Sequence, residues 1–230
     1  MPSICGQDIL LNEGGINLTV DDKVRLRSDA ELMIQNDGLI ILKEILEKNK
    51  ILYYLSSGTL LGAVRDKDFI RWDWDVQMYL LMENAYPLRH KISKSLLDRG
   101  FNIHKFIDSD DSLKWDLRKE GIIFELTAWS RQGKWRHRKK KSMKVPAYLF
   151  EGEYSINFKG INYRTLNPPE EYLEFCYGDW QTPIRTSDKG IYMTSNHWRN
   201  NTIINRSLIF FKKYVKKFIN FFNNKRNELN

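Results

Sequence analysis

Between residues 29 and 49 the apolar positions fall at 32, 33, 39, 42, 45 and 46. That spacing predicts a helix, opened beside Asp29 and closed at Asn49, with Gly38 as its weak point. The period then drops to two. "ILYYL" (51–55) reads as a short buried strand, "SSG" (56–58) as a turn and "TLLGAVR" (59–65) as a short helix. After a turn at "DKDF", the stretch "IRWDWDVQMYLL" (70–81) alternates. Trp72, Trp74, Val76 and Met78 fall on one side, and Asp73, Asp75 and Gln77 on the other. Residues 86–99 read as helical. "FNIHKF" (101–106) and "LKWDLRK" (113–119) read as paired strands, and "GIIFELTAW" (121–129) as another alternating one. "YSINFKG" and "INYRTL" flank Gly160 as a hairpin. "NPPEEYLEFCYGDW" starts a helix, with Pro168 and Pro169 in its first turn and Gly178 at its end. No internal repeat is visible.

Charge changes this picture. The net charge is +8, but residues 131–144 carry eight Lys/Arg and no acid, and residues 199–230 carry eight and one acid, Glu228. The rest of the chain is mildly acidic, with two basic elements attached, and such elements favour phosphates, anionic lipid or nucleic acid. Residues 131–144 lack an apolar period and read as a loop or lid. In the tail, apolar residues at 204, 208, 211, 214, 215, 218, 219 and 222 make one helical stripe opposite Lys212, Lys213, Lys216 and Lys217. That pattern fits an interfacial anchor over 203–222, or a helix packed on the domain's own core. Composition adds bounds. Apolar content of 42% and aromatics of 13% describe a globular chain. Cys5 and Cys176 are far apart, which argues against a disulfide framework or a cysteine zinc site and for a reducing, cytosolic setting. The first residues lack a positive start and a long apolar run, so no signal peptide is expected, and no stretch is long and apolar enough to span a membrane.

The candidate chemistry lies in "SSGTLLGAVRDKDFIRWDWDVQMYL" (56–80). Aspartates at i and i+2 of a strand point the same way, and carboxylates that close resist ionising unless a cation sits between them. A hard divalent ion such as Mg²⁺ is held by one or two carboxylates plus substrate phosphates. The upstream glycine turn exposes backbone N–H groups and lets a phosphate approach. Together they predict a metal–phosphate site. The bland alternative is the solvated face of an edge strand, which the flanking tryptophans and the glycine turn count against. The four histidines, His90, His104, His137 and His197, show no ligand spacing, and no P-loop, G-x-G-x-x-G or H-E-x-x-H is present.

The stretch "SGTLLGAVRDKDFIRWDWDV" resembles the signature of the LicD/fukutin-related phosphotransferase family, and "PPEEYLEFCYGDWQTP" (168–183) resembles the family's later element. The two ordered matches span residues 56–183. The resemblance implies an α+β, polymerase-β-like nucleotidyltransferase fold, a mixed sheet flanked by helices, over residues 1–200, with 201–230 as a basic amphipathic tail. It implies a transferase that moves a phosphorylated alcohol, such as phosphocholine, ribitol phosphate or glycerol phosphate, from a CDP-activated donor to a sugar hydroxyl of a cell-surface glycan. Carried over residue by residue, Ser57, Gly58 and Thr59 hold the donor phosphates, with Arg65 and Arg71 beside them. Asp73 and Asp75 bind Mg²⁺ or Mn²⁺. Glu125 is the third carboxylate, as metal ligand or base. Three departures stand out: Gln77 occupies a position where the family usually has another aspartate, Asp66 and Asp68 replace a histidine and a glycine, and Arg71 replaces a proline. His197 lies where the family often has a histidine. The implied partners are the donor, a glycan acceptor that is lipid-linked in some settings, and an anionic membrane surface on the cytoplasmic side, with nucleic acid disfavoured. The Lys-, Asn- and Ile-rich composition suggests an AT-rich bacterium. Two other readings stay open: a nucleotidyltransferase that adds a nucleoside monophosphate, and a non-catalytic membrane or glycan adaptor on the same fold.

Overall fold

The computed structural model describes residues 24–138, 143–186 and 189–194. All of these belong to the first of two compact units, Met1–Trp198, the second being Arg199–Asn230. The helix expected over 203–222, His197, Cys5 and residues 139–142 of the basic segment lie outside the described residues.

Helix α1 (Asp29–Lys48) opens with a capping box. The Ser28 side chain accepts the Glu31 N–H, and Glu31 reaches back to the Ser28 N–H. Its buried face is Leu32, Leu39, Leu42, Ile45 and Leu46. Gly38 is no defect. A Cβ there would meet the Phe124 ring at 2.1 Å, so the missing side chain lets the helix lie down on the sheet. Strand β1 (Tyr53–Leu55) leads into α2 (Ser57–Leu61), which begins two residues earlier than the sequence pattern predicts and continues as a wider turn over Gly62–Asp66. Strand β2 (Asp75–Leu81), the short α3 (Met82–Ala85) and α4 (Arg89–Asp98) follow. Strands β3 (Asn102–Ser109), β4 (Ser112–Lys119) and β5 (Ile122–Gln132) then form an antiparallel run. The sheet order is β1-β2-β5-β4-β3. Strands β2 and β5 are parallel and the other pairs antiparallel, so the sheet is mixed. Helices α1 and α4 cover the face that carries Phe124 and Trp115. The opposite face carries a polar row, with Gln77 beside Glu125 and Glu125 beside Asp116.

Two expectations are corrected by the backbone. The strand expected over 70–81 starts only at Asp75. Upstream, the Asp73 N–H turns back to the Ile70 carbonyl at 2.9 Å, and the carbonyls of Asp73 and Trp74 are taken by the guanidinium of Arg27. A side chain replaces the neighbouring strand there, so the alternation of the tryptophans does not bury both. Trp74 is 43% exposed, with the guanidinium groups of Arg25 and Arg27 over its ring. The basic segment 131–144 is also not a plain loop. It contributes β6 (Trp135–Arg138) and β7 (Met143–Pro146), which extend β5 as a hairpin. Its inward positions are arginines. Arg136 forms a forked pair with Glu83 at 2.7 and 3.1 Å, and Arg138 pairs with Glu125, so the alternation is real but not apolar. Strands β8 (Ser155–Phe158) and β9 (Ile161–Arg164) form the expected hairpin about Gly160. Helix α5 (Pro169–Tyr177) carries its proline at the start and stops at Gly178, with α6 (Lys189–Tyr192) beyond. Among the described residues no helix is long and apolar enough to cross a membrane.

Candidate active site

Ser57 sits at φ 51°, a left-handed conformation that costs a non-glycine residue about 1 kcal/mol. Side chains hold it there. Its N–H donates to the Tyr172 hydroxyl at 3.2 Å, and its Oγ lies 3.0 Å from the Tyr79 hydroxyl. Thr59 sutures the same turn to the strand: its Oγ1 accepts the Gln77 N–H at 2.8 Å, while the Ser56 N–H donates to the Gln77 carbonyl. The glycine turn is thus bolted to β2 beside the carboxylates.

Gly58 faces Asp73 directly. A Cβ at position 58 would lie 1.7 Å from Asp73 Oδ2. No larger residue fits without moving that carboxylate, which gives the glycine a steric reason. Asp73 and Asp75 border one cavity of about 410 Å³, together with Ser57, Gly58, Arg65 and Gln77. Asp75 reaches it from the first residue of β2 and Asp73 from the turn before it. Burial, and then the charge of Asp75, push the Asp73 carboxyl well above the ordinary aspartate range. Arg65 borders the cavity while its guanidinium forks onto Asp66 at 2.6 and 2.8 Å.

Three other sequence candidates are placed elsewhere. Glu125 is not brought to the cavity wall. Its Oε1 accepts from Thr127 and Arg138, and its Oε2 pairs with Lys114 at 2.6 Å. Burial alone would raise its carboxyl, but Arg138 and Lys114 hold it below the usual range. A carboxylate so fully engaged is a poor base and a poor third ligand. Among the described residues no group of three His, Cys, Asp or Glu side chains could hold a metal. Arg71 points the other way, to Asp29 at 2.5 Å and to the Arg27 carbonyl. Thr59 is buried and serves the backbone rather than the cavity.

The cavity also has walls the sequence reading missed. Tyr79 lies on the same strand face as Asp75 and Gln77, a parity readable in the sequence. Tyr177, Asp179 and Trp180 come from the 168–183 stretch that the resemblance marks without giving them a role, and Arg138 and Tyr192 from distant segments with no local signal. Burial pushes the Tyr79 phenol up to about 12 and raises that of Tyr172 well above the ordinary tyrosine range, so both act as neutral hydroxyls.

Residues 50–165 match the family described as LicD/FKTN/FKRP, nucleotidyltransferase domain. The chain belongs to this family. The mouse ribitol 5-phosphate transferase FKRP is 39% identical over 151 residues, which is 58% of this chain and 29% of that protein. The lipopolysaccharide cholinephosphotransferase LicD of Haemophilus influenzae is 53% identical over 34 residues, 15% of this chain and 13% of that protein. The chain therefore spans under a third of the length of these curated relatives. Both relatives are, by name, transferases of a phosphorylated alcohol. Among solved structures, ANT(2'')-Ia in complex with adenylyl-2''-tobramycin is similar at 10% identity and a TM-score of 0.43, covering 58% of this chain and 69% of that one. That likeness is too distant to carry an argument.

Proposed function

We propose that this chain transfers a phosphorylated alcohol from a CDP-activated donor to a sugar hydroxyl of a cell-surface glycan, on a polymerase-β-like nucleotidyltransferase scaffold. The observation that carries the reading is the direct contact of the Gly58 turn with Asp73 in a cavity shared with Asp75. A bare backbone turn against two carboxylates suits a phosphate bridged to a cation, and little else in solution chemistry needs both. The donor set fits Mg²⁺ or Mn²⁺. Asp73 and Asp75 would hold it, because a carboxyl that binds a proton too tightly beside a second carboxyl is short of positive charge. When bound, such an ion neutralises the donor pyrophosphate and polarises the phosphorus under attack.

The chain's own residues do the rest. The Gly58 turn lets the donor phosphate approach the backbone. Arg65, at the cavity edge, offsets charge on the departing CMP. Gln77 offers an amide on the same face as Asp75 but takes no proton. The acceptor hydroxyl attacks in line as the bond to CMP breaks, and its proton is taken up by the phosphate of the departing CMP. The basic tail would hold the enzyme against an anionic membrane surface, within reach of lipid-linked glycan.

The test is incubation with CDP-choline, CDP-ribitol, CDP-glycerol and CDP-ethanolamine, with nucleoside triphosphates as a second arm. CMP release that needs a divalent ion and is lost in Asp75→Ala is expected. Pyrophosphate release from a triphosphate instead would replace this reading with nucleotidyl transfer. No turnover of any donor would favour a binding role.

A further inference from the structure

One buried cation on the cavity wall has no part in that chemistry. Arg138 is 9% exposed and borders the cavity from β6. Its Nη1 donates to Glu125 Oε1 at 3.1 Å and to Thr127 Oγ1 at 3.2 Å, and its Nε lies 3.1 Å from Met143 Sδ. Among the described residues Nη2 forms no hydrogen bond. Glu125 is shared with Lys114, so its charge is answered twice and Arg138 keeps positive field to spare. That field reaches the Tyr79 hydroxyl, which adjoins Ser57.

The hydroxyl protons beside Arg138 point the same way. The Ser57 N–H donates to Tyr172, and the Tyr172 hydroxyl donates to Tyr79 at 3.1 Å. Tyr79 and Ser57 then bring two protons to the one bond between them. Whichever proton fills that bond, the other is left for the cavity, which both residues border. This wall therefore presents O–H and guanidinium N–H donors side by side. The carboxylate bonded to Arg138, Glu125, is already fully engaged.

We propose that Ser57, Tyr79 and Arg138 form an anion subsite that takes a phosphate group of the nucleotide-activated substrate, separate from the Asp73–Asp75 pair. It rests on the phosphoryl-transfer reading, because it assumes a phosphorylated substrate in the same cavity. Arginine suits the task, since Nη2 brings two N–H donors to a phosphate while Nη1 stays on Glu125 and Thr127.

The experiment measures binding without turnover. Inorganic pyrophosphate and CMP are titrated calorimetrically into the full chain, with and without Mg²⁺. The variants are Arg138→Lys and the paired Arg138→Met with Glu125→Gln, which removes both charges together and spares the fold a lone buried carboxylate. The expected result is a loss of about tenfold or more in pyrophosphate affinity for the pair and an intermediate loss for Arg138→Lys, the latter because a point charge lacks the fork. An affinity within about twofold of the unaltered chain in Arg138→Lys would overturn the subsite, as would the same result in the pair. A loss for CMP as well assigns the subsite to the nucleotide's own phosphate. A loss for pyrophosphate alone assigns it to the linked pair of phosphates, and both outcomes support the proposal. The two readings fail separately. Arg138-dependent pyrophosphate binding without CDP-alcohol turnover would sink the transferase reading and keep the subsite. Turnover with Arg138-independent affinity would do the reverse.

Discussion

At the scale of single residues, the Gly58–Asp73 contact makes a sharp demand. Gly58→Ala places a methyl where the carboxylate lies, so Asp73 must swing away. The expected outcome is a folded protein with turnover down about 100-fold, since an ångström of misplacement costs that much. Circular dichroism and CMP release check the two halves. The raised Asp73 carboxyl sets a pH dependence. Above the ordinary aspartate value of 3.8 the native chain keeps a proton that the unfolded chain has lost. The pair's contribution to stability is therefore full in acid and declines as pH rises from there towards the folded value. A divalent ion competes with that proton. The rise in melting temperature on adding Mg²⁺ should grow between about pH 5 and about pH 8, and Asp73→Asn should flatten it. A pH-independent rise in the unaltered chain would contradict this. The D-x-D spacing drew attention to Asp73 and Asp75 in the sequence, although Asp73 reaches the cavity from the turn before β2 and not by strand parity. Glu125 has that parity and an acidic side chain, yet its partners Lys114 and Arg138 reach it only through strand pairing with β4 and a fold-back of β6. No local pattern carries that information.

At the scale of elements, hydrophobic period was enough for α1 and for the existence of β5, and proline and glycine punctuation was enough for α5. The period failed where polar groups do the job of apolar ones. The β6–β7 hairpin buries arginines, and the turn before β2 satisfies its carbonyls with Arg27. Arg136 is the anchor of that hairpin, through Glu83 and the Trp129 carbonyl. Arg136→Met should lower stability by about 2 kcal/mol, measured by urea unfolding, because charge-assisted bonds of this kind are worth that much. The α1–sheet contact gives a second prediction. Gly38→Ala adds a methyl to the Phe124 ring and should destabilise by about 1–3 kcal/mol, although the same change in an exposed helix would stabilise it.

Across the whole molecule, the basic charge has two fates. Arg136 is spent on its pair with Glu83 and Arg138 is turned inward onto Glu125 and the cavity wall, so the segment 131–144 shows solvent less charge than its composition suggests. The tail lysines remain the better candidates for an anionic surface. A chain ending at Arg199 should stay folded and lose sedimentation with anionic vesicles. Equal binding by the short and full chains would remove the anchor.

The Arg27 bonds to the Asp73 and Trp74 carbonyls have a consequence for where this folded unit begins and ends. The family match covers residues 50–165, yet the turn carrying one carboxylate is held by a residue some two dozen positions before it, and that leader is pinned in turn by Arg185 on the Val24 carbonyl. The two carboxylates therefore hang on different supports: Asp75 on the sheet, Asp73 on a clasp made by the flanks. Relatives that keep the matched core but differ in these flanks would carry the same two aspartates at a different spacing, and spacing is what a cation or a phosphate reads.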